Sequence, residues 1–298
     1  MEITAAMVKE LREQTGAGLM DCKKALVATE GNLEAAVEWL REKGITKALN
    51  KATRIAAEGI CNIKTSGDKA LVYELNCETD FVAQNEKFRA LSDTIGEVII
   101  KNNVNTVEEA LAIPYEGKTL NEFLLSAIAS IGENINLRRM AVVNKKAEEL
   151  FGYYVHMGGK IASLTVMNGG NFDTAKDVAM QVTASNPLYL SQEAIPADVT
   201  EHERMILTKE ALNENAEAAK PKPEAIIIKM VEGRLQKNLK EICLVNQPFI
   251  KNPDQSVGDY VKANGAAIVA FTRLAVGEGI EKKEDNFAEE VMAQTKKC

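Results

Sequence analysis

The chain has 298 residues, 46% of them hydrophobic and 27% charged, with a formal net charge of -7. That length supports a sizeable core divided over two or three domains, and the acidic balance excludes a broad electrostatic grip on nucleic acid, leaving protein partners as the expectation. No apolar run is long enough to span a bilayer, the start Met-Glu-Ile-Thr lacks the basic residues of a signal peptide, and five cysteines without a CxxC pair fit a reducing compartment, so the sequence places the chain in the cytosol. Its two histidines, His156 and His202, show no HExxH or cysteine-histidine spacing, so no bound metal and no cofactor are expected.

Residues 1–55 read as a compact three-helix unit with its linker. The first helix buries Val8 and Leu11 and stops at Thr15-Gly16-Ala17-Gly18. The second runs from about Met20 through Ala25 and Leu26 to Gly31, a residue able to end a helix in the left-handed conformation. Asn32 caps a third, which carries Ala36, Trp39 and Leu40 and ends near Gly44. The arrangement resembles a small ubiquitin-associated domain. Leu19 and Met20 follow a glycine turn directly and are either an adaptable docking surface or ordinary core. Residues 47–58, basic and alanine-rich, read as a helical linker.

Residues 56–149 and 150–279 are expected to be two α+β halves of one core. In the first, Leu71, Tyr73, Leu75 and Cys77 alternate onto one face of a strand, and Phe88, Leu91 and Ile95 recur at helical spacing. The run NCETDFVAQNEKF at 76–88 puts Thr79, Asp80 and Phe81 at the corner between them, where the ring either plugs the local core or projects towards a partner. A helical 120–131 precedes IGENINLRR at 131–139 and the apolar run 140–143. In the second half, a strand at 160–167 leads through Asn168-Gly169-Gly170 to a helix over 174–184. His156, in YYVHMGGKI, is expected at a loop edge, either as a hydrogen-bonded structural group or as a functional one.

A polar insertion at about 196–241 interrupts the second half, broken at its middle by Lys220-Pro221-Lys222-Pro223. Ile227, Val231, Leu235, Leu239 and Ile242 step by four, four, four and three, which predicts the seam of an antiparallel helical hairpin. The hairpin is either an interaction device or two arms packed only on each other. Residues 266–274 return to strand, and 280–298 read as a C-terminal helical module. There Asn286 is a cap, and Phe287, Ala288, Val291 and Met292 form one stripe that docks on its own core or on another protein. The fold class is therefore α+β: an N-terminal three-helix ubiquitin-associated-like domain, a two-half α+β core, an inserted antiparallel helical hairpin and a C-terminal helix.

Catalytic signatures are missing. Gly117-Lys118-Thr119 and Gly158-Gly159-Lys160 suggest phosphate loops, but the glycine a Walker loop needs five residues before the Gly-Lys pair is Ala112 in one case and Tyr154 in the other. There is no GxSxG elbow. An enzyme using Asp80 and His156 would need the two within hydrogen-bonding reach of one pocket.

In order along the chain, KELREQTGAGLMDCKKAL at 9–26, NCETDFVAQNEKF, IGENINLRR, HMGGKI, KMVEGRLQK at 229–237 and FTRLAVGEGIEK at 271–282 resemble the elongation factor Ts family over essentially the full length. The resemblance implies a guanine nucleotide exchange factor of translation elongation. Such a factor binds elongation factor Tu with GDP, disturbs its magnesium and phosphate site and lets GTP enter, without covalent chemistry. By the same resemblance Thr79, Asp80, Phe81 and Val82 dislodge the partner's magnesium, with Phe81 as a wedge and Asp80 as a hydrogen-bonding group. Arg12, Leu19 and Met20 would bind the partner's nucleotide domain, His156 with Ile131 and Gly132 would lie near its phosphate loop, and Phe287, Val291 and Met292 would dock on that domain too. The hairpin would mediate self-association. Gln181 departs from the pattern, since many relatives carry histidine there, and no role for a second histidine is carried over. A non-enzymatic scaffold that binds without accelerating nucleotide release is the alternative.

Overall fold

The computed structural model describes residues 3–15, 17–218 and 220–281. Helices α1 (Ala5–Thr15), α2 (Leu19–Ala28) and α3 (Leu33–Lys51) close over Val8, Leu11, Cys22, Ala25, Leu26 and Ala36, with Trp39 and Leu40 packed at the edge of the cluster. Asn32 Oδ1 accepts the Ala35 amide at 3.1 Å, capping α3 as its sequence position predicts.

The first half of the core opens with a hairpin of β1 (Glu58–Ser66) and β2 (Lys69–Cys77), followed by the one-turn helix α4 (Asp80–Gln84) and by α5 (Glu86–Ile100). Next come α6 (Val107–Leu111), the two-residue strands β3 (Pro114–Tyr115) and β4 (Lys118–Thr119), α7 (Leu120–Ile131) and β5 (Asn136–Asn144). Strand β5 returns antiparallel beside β2, giving the order β1-β2-β5. Leu71, Tyr73, Leu75 and Cys77 join Phe88, Leu91, Ile95 and Ile99 of α5 and Leu120, Leu124 and Ile128 of α7 in one buried cluster.

Helix α3 does not end near Gly44, as its glycine suggested. Gly44 faces α7, where an added Cβ would come 3.1 Å from the Ala129 methyl, so this glycine permits close helix approach instead of ending the helix. The helix therefore runs out of the three-helix unit to Lys51 and packs along α7.

The second half repeats the topology. Its hairpin of β6 (Glu149–His156) and β7 (Ile161–Gly169) leads into α8 (Phe172–Ser185), and the final strand returns antiparallel beside β7. Between α8 and that strand lie the arms α9 (Ala197–Glu217) and α10 (Glu224–Ile242), the short pair β8 (Pro248–Phe249) and β9 (Asn252–Ser256), and α11 (Val257–Ala263), before β10 (Ala266–Ala275) closes the order β10-β7-β6. In the hairpin, Ile227, Val231, Leu235 and Leu239 are buried against Leu207 and Ala211, with Ile242 partly buried at its base. Arg234 pairs with Glu214 at 2.7 Å and Arg204 with Glu232 at 2.8 Å across the arms.

The two sheets pack face to face. Cys61, Ala70 and Val72 of one meet Phe151, Ala162, Leu164, Val166 and Leu274 of the other, so β2 and β7 are buried on both faces, where the sequence pattern marked only one face of β2. At the edge of this contact Glu74 of β2 is fully buried and accepts from Asn76 Nδ2 (3.0 Å), the Gly277 amide (2.8 Å), Arg138 Nη1 (3.2 Å) and Arg139 Nε (2.5 Å). Arg139 Nη2 also donates to the Ala275 carbonyl at 2.8 Å and Arg138 Nη2 to the Glu278 carbonyl at 2.6 Å. The paired arginines of INLRR and the VGEG run after β10 thus form one latch between the halves. Burial pushes the Glu74 carboxyl up, but the Gly277 amide, Arg139 and Asn76 outweigh it and hold it below the usual glutamate value.

Cys22, Cys61, Cys77 and Cys243 are buried free thiols. The C-terminal stripe of Phe287, Val291 and Met292 lies outside the described residues.

Candidate functional site

The corner between β2 and α5 is built around α4. Thr79 caps it in extended conformation, its Oγ1 accepting the Val82 amide at 3.3 Å. A second cap follows at once, as Asn85 Oδ1 accepts the Lys87 amide at 2.9 Å and starts α5. Between the two caps Ala83 turns into the core and Val82 packs against its edge, while Asp80 stays exposed and Phe81 is 84% exposed. Of the two sequence options for Phe81, plugging the core is the one that fails. Most aromatic rings are packed, and leaving this one in water forgoes about 2 kcal/mol of burial free energy.

The turn is held from behind by the loop after α7. Gly132 ends α7 in the left-handed conformation (φ 93°), and Glu133 then reaches the corner. Its Oε2 accepts the Glu78 and Thr79 amides, each at 3.0 Å, and its Oε1 accepts the Thr79 hydroxyl at 2.6 Å. Glu78 in turn accepts the Asn134 amide at 2.7 Å and pairs with Arg54 at 3.4 Å, while Asn134 Nδ2 donates to the Arg54 carbonyl at 2.7 Å. Lys51, the last residue of α3, donates to the Gly132 carbonyl. Ile131 and Gly132 are therefore half-buried parts of a junction joining α3, α7 and the Phe81 corner. Sequence reasoning missed Glu133 and Asn134, although they lie in the IGENINLRR run. Only the fold brings Glu133 to Thr79, 54 residues earlier.

A groove in front of this junction is lined by Arg54, Ile55, Glu78, Asp80, Phe81 and Lys160, with Ile55 exposed beside the ring. An adjoining recess has Asp80, Ala83, Gln84 and Arg89 on the α4–α5 side and Gly59, Met157, Gly158 and Lys160 on the other. The HMGGK turn is thereby brought up to the Phe81 corner. Cys61 donates its amide to the Gly159 carbonyl at 2.7 Å, and a Cβ on Gly159 (φ 107°) would come 2.9 Å from Ile60, so only glycine allows this approach. Met157 at the tip is 74% exposed.

His156 is the last residue of β6, half-buried, with Nδ1 at 3.2 Å from the Tyr154 hydroxyl. Among the described residues no hydrogen bond or ion pair joins it to Asp80, so the constellation an enzyme reading required is not formed. In the three-helix unit, Leu19 and Met20 open α2 and are 52% and 62% exposed, which rejects the core option for both; Arg12 is exposed on α1. With Lys23, Lys24 and Val27, Met20 lines a shallow apolar recess. Gln181 is buried and internal: its Oε1 accepts the Ile250 amide at 2.8 Å, and its Nε2 donates to Ser185 Oγ at 2.9 Å and to Gln247 Oε1 and the Pro248 carbonyl at 3.2 Å each. It fastens α8 to β8.

The family model described as Elongation factor TS matches residues 78–278, more than half of the chain and all of the core from the Phe81 corner to the Glu74 latch partner Glu278. The chain belongs to the elongation factor Ts family. A second model, UBA/TS-N domain, matches residues 3–40, the three-helix unit, as expected for elongation factor Ts architecture. Members of the elongation factor Ts family are nucleotide exchange factors for elongation factor Tu in translation elongation, not catalysts of covalent chemistry. No helix among the described residues is long and apolar enough to cross a membrane.

Proposed function

We propose that this chain, acting in the cytoplasm, accelerates GDP release from elongation factor Tu by pressing Phe81 into the partner's nucleotide domain beside its magnesium site. The observation that carries the reading is a phenyl ring 84% exposed on a helix of one turn whose backbone is fixed at both ends. Such a ring reaches its favourable environment only in a partner. If that environment exists only when the partner's magnesium site is distorted, burying the ring is worth about 2 kcal/mol to the distorted state, roughly a thirtyfold shift in its favour. Asp80, next to the ring and exposed, is placed to take a hydrogen bond from the disturbed site, and Thr79 and Val82 hold the pair in place. Magnesium then loses its ligand geometry, and the GDP phosphates lose the charge that held them.

Docking is assigned to other surfaces. Arg12, Leu19 and Met20 grip the nucleotide domain, and the Met157 tip brings His156 towards the phosphate loop, with Ile131 and Gly132 supporting the corner. Phe287, Val291 and Met292 add a contact from the C-terminal segment, and the hairpin carries self-association. GDP and this chain then oppose each other's binding by the same factor, as any pair of linked equilibria must.

The test is release of a fluorescent GDP from elongation factor Tu, with magnesium and excess GTP, at catalytic amounts of this chain. Many turnovers of released GDP per molecule of chain are expected. Stable binding with unchanged release would leave a scaffold and remove the exchange mechanism.

A further inference from the structure

Phe81 is presented by a helix too short to hold its own direction, since one turn has almost no internal hydrogen bonding to resist rotation. Its first residue follows Thr79, and Thr79 is where Glu133 attaches. One carboxylate accepts three hydrogen bonds from the two residues just before α4, at 3.0, 3.0 and 2.6 Å. They use both carboxylate oxygens, and they leave the Thr79 hydroxyl oxygen free to accept the Val82 amide, so cap and clamp act on one side chain together. The carboxylate itself is set by the turn at Gly132, whose carbonyl is held by Lys51, and by Asn134, which is buried and bonded to Glu78 and Arg54. None of these bonds touches the face that carries Asp80 and Phe81.

We propose that Glu133 is a positioning residue for exchange: it fixes the backbone at 78–79 so that Phe81 points outward as a rigid wedge, and it acts on the partner only through Phe81. The proposal rests on the exchange reading above. A loosened corner would still display the ring, but the ring would lose direction before contact and spend part of its burial free energy on ordering itself. The contribution needs acceptor geometry more than charge. A glutamine at this position offers an oxygen to the two amides and an amino group to the Thr79 hydroxyl oxygen.

The experiment is a double-mutant cycle in the full chain, with GDP release from elongation factor Tu measured at increasing concentrations of exchange factor. Glu133→Ala is expected to lower the maximal release rate roughly tenfold, with the half-saturating concentration moving less than about twofold. Glu133→Gln should retain most of the parental rate. In a Phe81→Ala background, Glu133→Ala should add no further loss, because the group it positions is gone. Thr79→Val, which removes the hydroxyl shared by cap and clamp, gives a second route should the alanine variant fold poorly, and should slow release in the same direction. Parental rates in both Glu133→Ala and Thr79→Val would overturn the proposal, as would a Glu133→Ala loss of equal size with and without Phe81, which marks general destabilisation. A parental rate in Phe81→Ala alone would remove the wedge and this proposal with it. A slowed Phe81→Ala beside parental rates in Glu133→Ala and Thr79→Val overturns the positioning role only.

Discussion

Where β7 meets α8, two glycines and Asn171 are enough: Asn171 Oδ1 accepts the Thr174 amide at 2.9 Å, and Phe172 leans edge-on against Tyr153 with ring centroids 5.5 Å apart. Where β2 meets α5, in a half of the same topology, residues 78–85 intervene, Thr79 caps α4 and Asn85 caps α5, and a carboxylate from a distant loop clamps the turn. The first joint has a ring resting on its own sheet, and the second holds a ring away from it. Holding an apolar group out in solvent takes extra backbone and long-range support. A strand–helix joint needs neither for stability alone, so their presence at one of two equivalent joints supports the site proposed there.

The largest effect should come from breaking what joins the two halves. Glu74→Gln removes the buried negative charge and puts a donor in place of one of the two oxygens that accept from Arg138, Arg139 and the Gly277 amide, and is expected to destabilise the chain by roughly 3 kcal/mol, read from urea unfolding. The pH dependence carries a sign. The Glu74 carboxyl is held below its ordinary value in the folded chain, so its stabilisation is complete above the ordinary glutamate range and is lost as pH falls through the lowered value. Parental stability should therefore fall as pH drops below the ordinary glutamate range, and Glu74→Gln should show a shallower fall.

Next in size is the direct comparison of the two rings. Phe81→Ala should slow nucleotide release roughly tenfold or more while affinity for elongation factor Tu changes less, whereas Phe172→Ala should leave release unchanged. Equal effects of the two would erase the functional difference between the joints. The smallest effect is Asn171→Ala, which removes the N-terminal cap of α8 and should cost about 1 kcal/mol in unfolding free energy with no change in exchange. A change in exchange there would mean that the second joint also faces the partner.

Local periodicity made much of this readable. The alternation through β2, the helical spacing of α5 and the step of four in α10 each depend on neighbours in sequence, and the structure follows them. What failed depends on distance. Ala70 and Val72 are buried by a sheet formed some 80 residues later in the chain. Gly44 reads as a stop until α7 lies against it, and β1, β6 and α11 carry patterns too irregular or too short to stand out. At the candidate site the sequence located the corner at Thr79 and Phe81 and left open whether the ring is packed or projecting, and family resemblance implied a projecting wedge, but neither singled out Glu133, whose carboxylate holds the turn before α4. An exposed phenylalanine and a buried one look alike in sequence, because the difference lies in what the rest of the fold declines to cover.

The four buried cysteines sit in three places: Cys22 in the three-helix domain, Cys61 and Cys77 in the first half, and Cys243 where the hairpin rejoins the core. Burial pushes the Cys77 thiol up to about 12 and raises Cys61 and Cys243 as well, which disfavours the thiolate at these three while their surroundings are closed. With Cys298 replaced by serine, the chain carries its own labels for local opening. The rate at which each thiol becomes accessible to an alkylating reagent, with and without the partner bound, would report which unit breathes and which the partner holds shut.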